Sequence, residues 1–229
     1  MSSVGTPLAS SKRVRQRRSQ KTYDALIETT FKLLQEREFD AISIAELAQN
    51  AGYSVGAFYA RFRSKDELFD ALLAQHIEDR LTARTRIFAS ATDESLVGDL
   101  MEDLVDYYWT RRRFWRAALI RSMNDPEFWE PVRRQGHEFG AWLIERISRR
   151  AGRPLTEPEQ ANVRFALQLT LGTINNTIIN RPGPIFMEQV LFVEQLARAF
   201  RLVSGYDSVA VQPTPRRRKA RPLSPKSRA

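Results

Sequence analysis

The sequence has no cysteine among its 229 residues, which excludes disulfides and thiol chemistry. It has only two histidines, His76 and His137, and no His/Asp/Glu grouping shows metal-ligand spacing. His76 falls on a charged stretch beside Glu78 and Asp79, and Glu102, Asp103 and Asp106 read as an acidic, solvated face. There is no glycine-rich phosphate loop, no internal repeat and no period-2 strand pattern. No apolar run approaches the roughly 18 residues of a membrane span, and no signal-peptide core stands at the start. The expectation is a cytoplasmic protein, not an enzyme, with no catalytic residues, no cofactor, no metal and no membrane contact.

Positive charge is abundant, but it is not spread evenly. The formal net charge is +9. Residues 1–21 hold six Lys/Arg and no acid, and residues 207–229 hold seven Lys/Arg and one Asp. The stretch between them is left with 23 basic and 26 acidic residues, so the excess lies in the two ends. Both ends are too polar to fold alone, and both suit phosphate contact. The N-terminal arm favours DNA because it leads into the motif described below. For the C-terminal tail, a solubilising end is an equal reading.

The rest of the chain reads as helix almost throughout. Apolar stripes at three- and four-residue spacing predict helices from Lys65 to about Ala89, through Leu100, Leu104 and Trp109, and from Arg113 to Met123. Pro126 is placed to open the next, which ends near Gly152. Thr156 and Glu159 form a capping box for a helix reaching Asn180. Pro182-Gly183-Pro184 breaks it, and Ile185 to about Val203 is the last helix. The fold class is all-α.

Residues 43–68, SIAELAQNAGYSVGAFYARFRSKDEL, carry the most information. Ser43 and Glu46 match a capping box. Ile44, Leu47, Ala48 and Ala51 share one helical face, and Gly52 sits where a left-handed residue ends the helix. Ser54 caps a second short helix whose inward side is Phe58 and Phe62. Two short helices across a glycine turn are a helix-turn-helix, whose second helix enters the DNA major groove. Gly56 and Ala57 allow close approach to the groove floor. Val55 or Ala57 suits contact with a thymine methyl group.

The stretch Tyr23 to Leu68 resembles the DNA-binding domain of the tetracycline-repressor (TetR) family. The resemblance rests on the helix DALIETTFKLLQER, Ser43-Ile44, Ala48, Ala51-Gly52-Tyr53-Ser54, Gly56, Phe58-Tyr59, Phe62 and Ser64-Lys65-Asp66-Glu67-Leu68. Glu38 stands where that family usually has glycine, so this turn is rebuilt. Val55 and Arg61 replace the lysine and histidine often seen there, a departure at the positions that bear on the family's base-reading pattern. The resemblance implies phosphate contacts at Tyr59 and Lys65. With Ser43, Ser54, Val55, Gly56, Ala57 and Arg61 these make up the expected contacts to double-stranded DNA. It also implies a homodimer through the helices at 159–180 and 185–203, and a repressor of transcription released by a small-molecule effector.

The expected organisation is a basic disordered arm (1–21), a three-helix helix-turn-helix domain (22–68), a helical effector-binding and dimerisation domain (69–206) and a basic disordered tail (207–229). Trp109, Trp115, Trp129 and Trp142 suggest an apolar ligand pocket, with His137 and Asn175 as polar anchors. Aromatics at helical spacing that simply fill core are an equal reading, and Asn175-Asn176 equally suits a hydrogen bond across a dimer. The alternative function is a ligand-independent architectural or chromosome-associated DNA-binding protein of the same fold.

Overall fold

The computed structural model describes residues 7–209. Among the described residues there is helix, turn and no strand, as the sequence pattern predicts. Helix α1 spans Pro7–Leu33, followed by a single 3-10 turn at Phe39–Ala41. Then come α2 (Ile44–Asn50), α3 (Val55–Tyr59), α4 (Lys65–Ser90), α5 (Leu96–Thr110) and α6 (Arg112–Asn124). The remainder is α7 (Glu130–Ala151), α8 (Glu157–Asn180) and α9 (Val190–Ser204).

Two boundaries differ from the sequence expectation. The arm at 1–21 is not a separate disordered segment from Pro7 onward, because α1 runs through it without a break. Arg, Lys and Gln are strong helix formers. Extending a helix already anchored by Leu26, Ile27 and Thr30 needs no new nucleus. Residues 1–6 and 210–229, which include most of the expected tail, lie outside the described residues. The last helix starts at Val190 rather than Ile185. Residues 185–189 instead turn so that Met187 is buried and the Phe186 ring packs over Gly183.

Start signals decide several helix ends. The Thr156–Glu159 capping box of α8 forms in both directions. Its Glu159 carboxylate is held down to about 2 by Arg153, then by Thr156. Asp125 Oδ1 accepts the Phe128 N–H at 3.1 Å, so residues after Pro126 make a capped turn and α7 begins at Glu130.

One continuous apolar core runs through the described residues from Leu26 to Val209. Leu26, Ile42, Leu47, Phe58, Phe62 and Leu68 close the N-terminal helices on one another. Phe69 continues that core into the C-terminal helices, lying 5.4 Å from Phe114 and 5.8 Å from Phe128 between ring centroids. α9 packs on α8 and α5. Burying apolar side chains at roughly 1.5–3 kcal/mol each is what holds such a bundle.

Candidate nucleic-acid interface

The α2–turn–α3 unit is built by local chemistry. Ser43 Oγ accepts the Glu46 N–H at 3.1 Å, and Ser54 Oγ accepts the Ala57 N–H at 3.2 Å. The Ser43 box is half formed: the Glu46 carboxylate pairs with Arg37, whose longer reach offers a charged partner. Gly52 has φ +78°, with its N–H on Gln49 O and the Tyr53 N–H on Ala48 O. Those two bonds satisfy carbonyls that the helix end would leave open. Ala48 is fully buried where α2 meets α3, and Phe58 anchors α3 from below.

This packing turns the other side of α3 outward. Val55 is 41% exposed and Tyr59 54%. Gly56 is exposed and Ala57 half-buried on the same short helix, and Ser43 and Ser54 are exposed caps. The Tyr59 ring is exposed and meets Phe58 edge-on at 5.4 Å. Six of the eight expected contact residues therefore lie on or beside one outward surface.

Arg61 and Lys65 are engaged within the chain. Arg61 Nε donates to Ser19 O at 3.1 Å and its Nη1 to Ala60 O at 2.8 Å. Lys65 Nζ donates to Phe39 O and lies 4.4 Å above the Phe39 ring. Burial pushes its ammonium pKa down, with Asp40 and Asp66 opposing. Ser64 Oγ caps α4 by accepting the Glu67 N–H at 3.1 Å.

Glu38 has φ −71°, so the turn takes a non-glycine residue without strain. Its carboxylate faces Arg113 at 3.6 Å and Arg116 at 3.9 Å. Arg113 also donates to Gln35 O, and Phe31 meets Phe114 edge-on at 5.4 Å. The helix-turn-helix unit is thus tied directly to α6.

The residues expected to form one aromatic ligand pocket are dispersed. Trp115 is buried and donates its Nε1–H to Asn175 Oδ1 at 2.8 Å, so each satisfies the other. Trp129 packs on Trp115 at 5.1 Å. Trp142 lies against Phe88, and Trp109 lines a separate cleft of about 190 Å³ with Arg112, Arg113, Arg116 and Arg181. His137 is exposed and anchors nothing in the interior. Alternation along α7 explains this, because Phe139, Leu143 and Ile147 take its inward face.

The sequence reading missed a buried polar column on α4. His76, Arg80 and Arg84 are 1%, 2% and 4% exposed, although the local composition looks solvated. Their i, i+4, i+8 spacing continues the stripe of Leu68, Leu72 and Leu73, and that is the signal that identifies them. Arg80 meets Asp103 at 2.6 Å and lies 4.6 Å from the Tyr107 ring.

An exposed short helix, capped by serine and held across a glycine turn, with no strand among the described residues, is the arrangement of a helix-turn-helix, the class of motif that DNA-binding proteins set in the major groove. Residues 26–72 match the model of bacterial regulatory proteins of the tetR family. This stretch of the chain is therefore similar to the DNA-binding domain of that family.

Among curated proteins, it is 31% identical over 118 residues to the HTH-type transcriptional repressor Rv1474c of Mycobacterium tuberculosis, covering 50% of this chain and 58% of that one. It is 32% identical over 108 residues to the nucleoid occlusion factor SlmA of Haemophilus influenzae, covering 45% and 46%. The chain thus spans about half the length of these two relatives. The fold extends further than the sequence match. A tetR-family regulator from Streptomyces coelicolor superposes with TM-score 0.61 at 19% identity, covering 83% of this chain and 82% of that one. Salmonella enterica GusR does so with TM-score 0.58 at 19% identity, covering 80% and 95%.

Proposed function

We propose that this chain is a homodimeric repressor of transcription that binds a palindromic operator and is released by a small, mostly apolar ligand. The observation that carries the DNA part is the outward surface of Val55, Gly56, Ala57 and Tyr59 on the capped α3. Val55 and Ala57 would read base edges in the major groove, while Tyr59, Arg61 and Lys65 would hold phosphates. In this reading residues 22–68 form the DNA-binding domain and 69–206 the effector-binding and dimerisation domain. The repressor direction draws on the name of the Mycobacterium tuberculosis relative.

The homodimer reading draws on the faces of α8 and α9 that the protomer leaves bare. Phe165 (52% exposed), Leu169 (43%) and Ile179 on α8 are exposed, as are Val190, Leu191 and Leu202 on α9, which packs on α8. Positions 165, 169, 172, 176 and 179 repeat at four and three residues, the spacing of a helix seam that faces another helix. Ile174 and Val163 point the other way and fill the protomer's own core.

A two-fold axis would set two α3 helices about one DNA turn apart. A genome-wide protection experiment tests the reading. A preferred palindromic site near a small set of promoters supports it, and protection without a preferred site sinks it. The similarity to nucleoid occlusion factor SlmA supports a second reading, a chromosome-associated protein that ignores small ligands. Sites scattered along the chromosome, unresponsive to metabolites, would select that one.

A further inference from the structure

A trough of about 540 Å³ runs along α4 opposite α7. Its middle is apolar, walled by Leu73, Ala74, Ile77 and Leu81 of α4 and by Phe128 and Pro131 across from them. The volume falls in the range of roughly 300–1,000 Å³ typical of small-ligand sites. Arg84 stands at one end. It is 4% exposed, its Nε donates to Arg80 O at 3.1 Å and its Nη1 to Gln135 O at 3.3 Å. Its Nη2 is buried with no hydrogen-bond partner, the guanidinium lies 4.9 Å from the Phe139 ring, and the charge that opposes it is the more distant Glu138. Burial, then the Arg80 guanidinium, pushes its pKa down to about 10. A buried cation without a counter-ion is costly, and an anion brought in by a ligand removes that cost.

The acids lining the trough do not supply this charge. Asp70 is held by Arg121 at 3.0 Å, and Asp125 caps the turn at Phe128. Fourteen residues along α4 put Asp70 about 21 Å from Arg84, at the far end. Glu127 and, nearest the Arg84 end, Glu138 of α7 also line the trough, and both are exposed. Of the other arginines in the lining, Arg121 is held by Asp66 and Asp70 and Arg134 is exposed, so Arg84 is the buried cation there and matches a single negative charge better than a dianion.

The geometry points to this trough as the binding site of an amphipathic monocarboxylate, with its carboxylate on Arg84 and its apolar body along Leu73, Ile77 and Phe128. The inference rests on the ligand-released reading above and gives its ligand a chemical class. Such a ligand bridges α4 to α7. Arg121, which also lines the trough, faces both Asp66 and Asp70 near the start of α4, just after α3.

Calorimetric titration of the full-length protein with 4-phenylbutyrate and with octanoate, each beside its neutral primary amide, tests it without DNA. At least one acid should bind saturably and roughly tenfold or more tighter than its amide, as a charge-assisted bond requires. Arg84→Met should abolish that preference and raise Tm, since the uncompensated charge is gone. Ala74→Trp, at an exposed wall position, should block both acid and amide while the circular dichroism stays unchanged. If Arg84→Met does not fold, the acid–amide comparison and Ala74→Trp decide alone. Equal affinity for acid and amide, no saturable binding of either acid, or binding that survives Ala74→Trp overturns the site. The ligand-released reading fails separately: acid that binds in the trough but leaves operator affinity unchanged refutes it and keeps the site. Operator release that Ala74→Trp does not affect keeps the reading and refutes the site.

Discussion

The His76 imidazole stacks on the Trp115 indole, with centroids 4.5 Å apart and planes 18° from parallel. Neither ring nitrogen of His76 has a hydrogen-bond partner, and Tyr107, Tyr108 and Phe114 surround the remaining faces. Burial, then Arg80, Arg111 and Arg84, holds its pKa well below the ordinary value of 6.5. The folded protein therefore keeps His76 neutral where the unfolded chain takes up a proton. Below pH 6.5 the unfolded state binds more protons, so stability falls as the pH falls. Going from about pH 7.5 to about 5.5 should cost about 1.4 kcal/mol through this residue. Urea titrations of the wild type and His76→Phe at both pH values check it. The variant should lose about that much less, and identical pH dependence would mean His76 is protonated in the folded state.

The proposed DNA contacts should separate into two kinds. Tyr59→Phe should weaken binding to every sequence by a similar factor, whereas replacements at Val55 or Ala57 should change which bases are preferred. Lys65→Ala should lower the salt slope by about one unit if its ammonium leaves Phe39 O for a phosphate. Losing its internal bond should also cost about 1 kcal/mol of stability. Binding must therefore be measured on protein shown to be folded. A salt slope equal to wild type would keep Lys65 as a purely internal brace.

The helix-turn-helix was legible because local chemistry specifies it: Ser43, Gly52 and Ser54 act on backbone within five residues of themselves. The order of the later helices was legible for the same reason, with Thr156–Glu159 the clearest start. The ligand region was not. Whether Trp115 lines a hollow or seals a core depends on Asn175, 60 positions away, and no local pattern reports that. Arg80 and Arg84 were hidden because composition marks arginine as surface, while tertiary packing put Asp103 and Gln135 within their reach. Helix spacing alone would have placed them inside.

Gly52 offers a test of the turn itself. Its φ of +78° is left-handed, and a Cβ added there would meet nothing within 4 Å. Any penalty is therefore backbone strain and not collision. Gly52→Val should cost about 1–2 kcal/mol, and Gly52→Asn less, since asparagine visits that region more readily. Thermal melts of the two variants check the order. Equal melting temperatures would show that the turn relaxes to another conformation.

The dimer reading makes a prediction that separates association from folding. Phe165→Glu and Leu169→Glu place charge on the exposed side of α8, where the two side chains are 52% and 43% exposed and leave less packing to lose than a core residue. In an isolated protomer these changes should be nearly neutral, because the new carboxylates stay in water. In a dimer each would bury an unpaired charge twice over, by symmetry, and drive the subunits apart. Ile174→Glu is the contrast: Ile174 is fully buried inside the protomer, so this change should unfold the chain. Sedimentation at micromolar concentration should give dimers for wild type and folded monomers for the first two variants. Operator affinity should then collapse with the dimer, since each half-site alone binds weakly. Dimers that persist in both Phe165→Glu and Leu169→Glu would move the interface off α8.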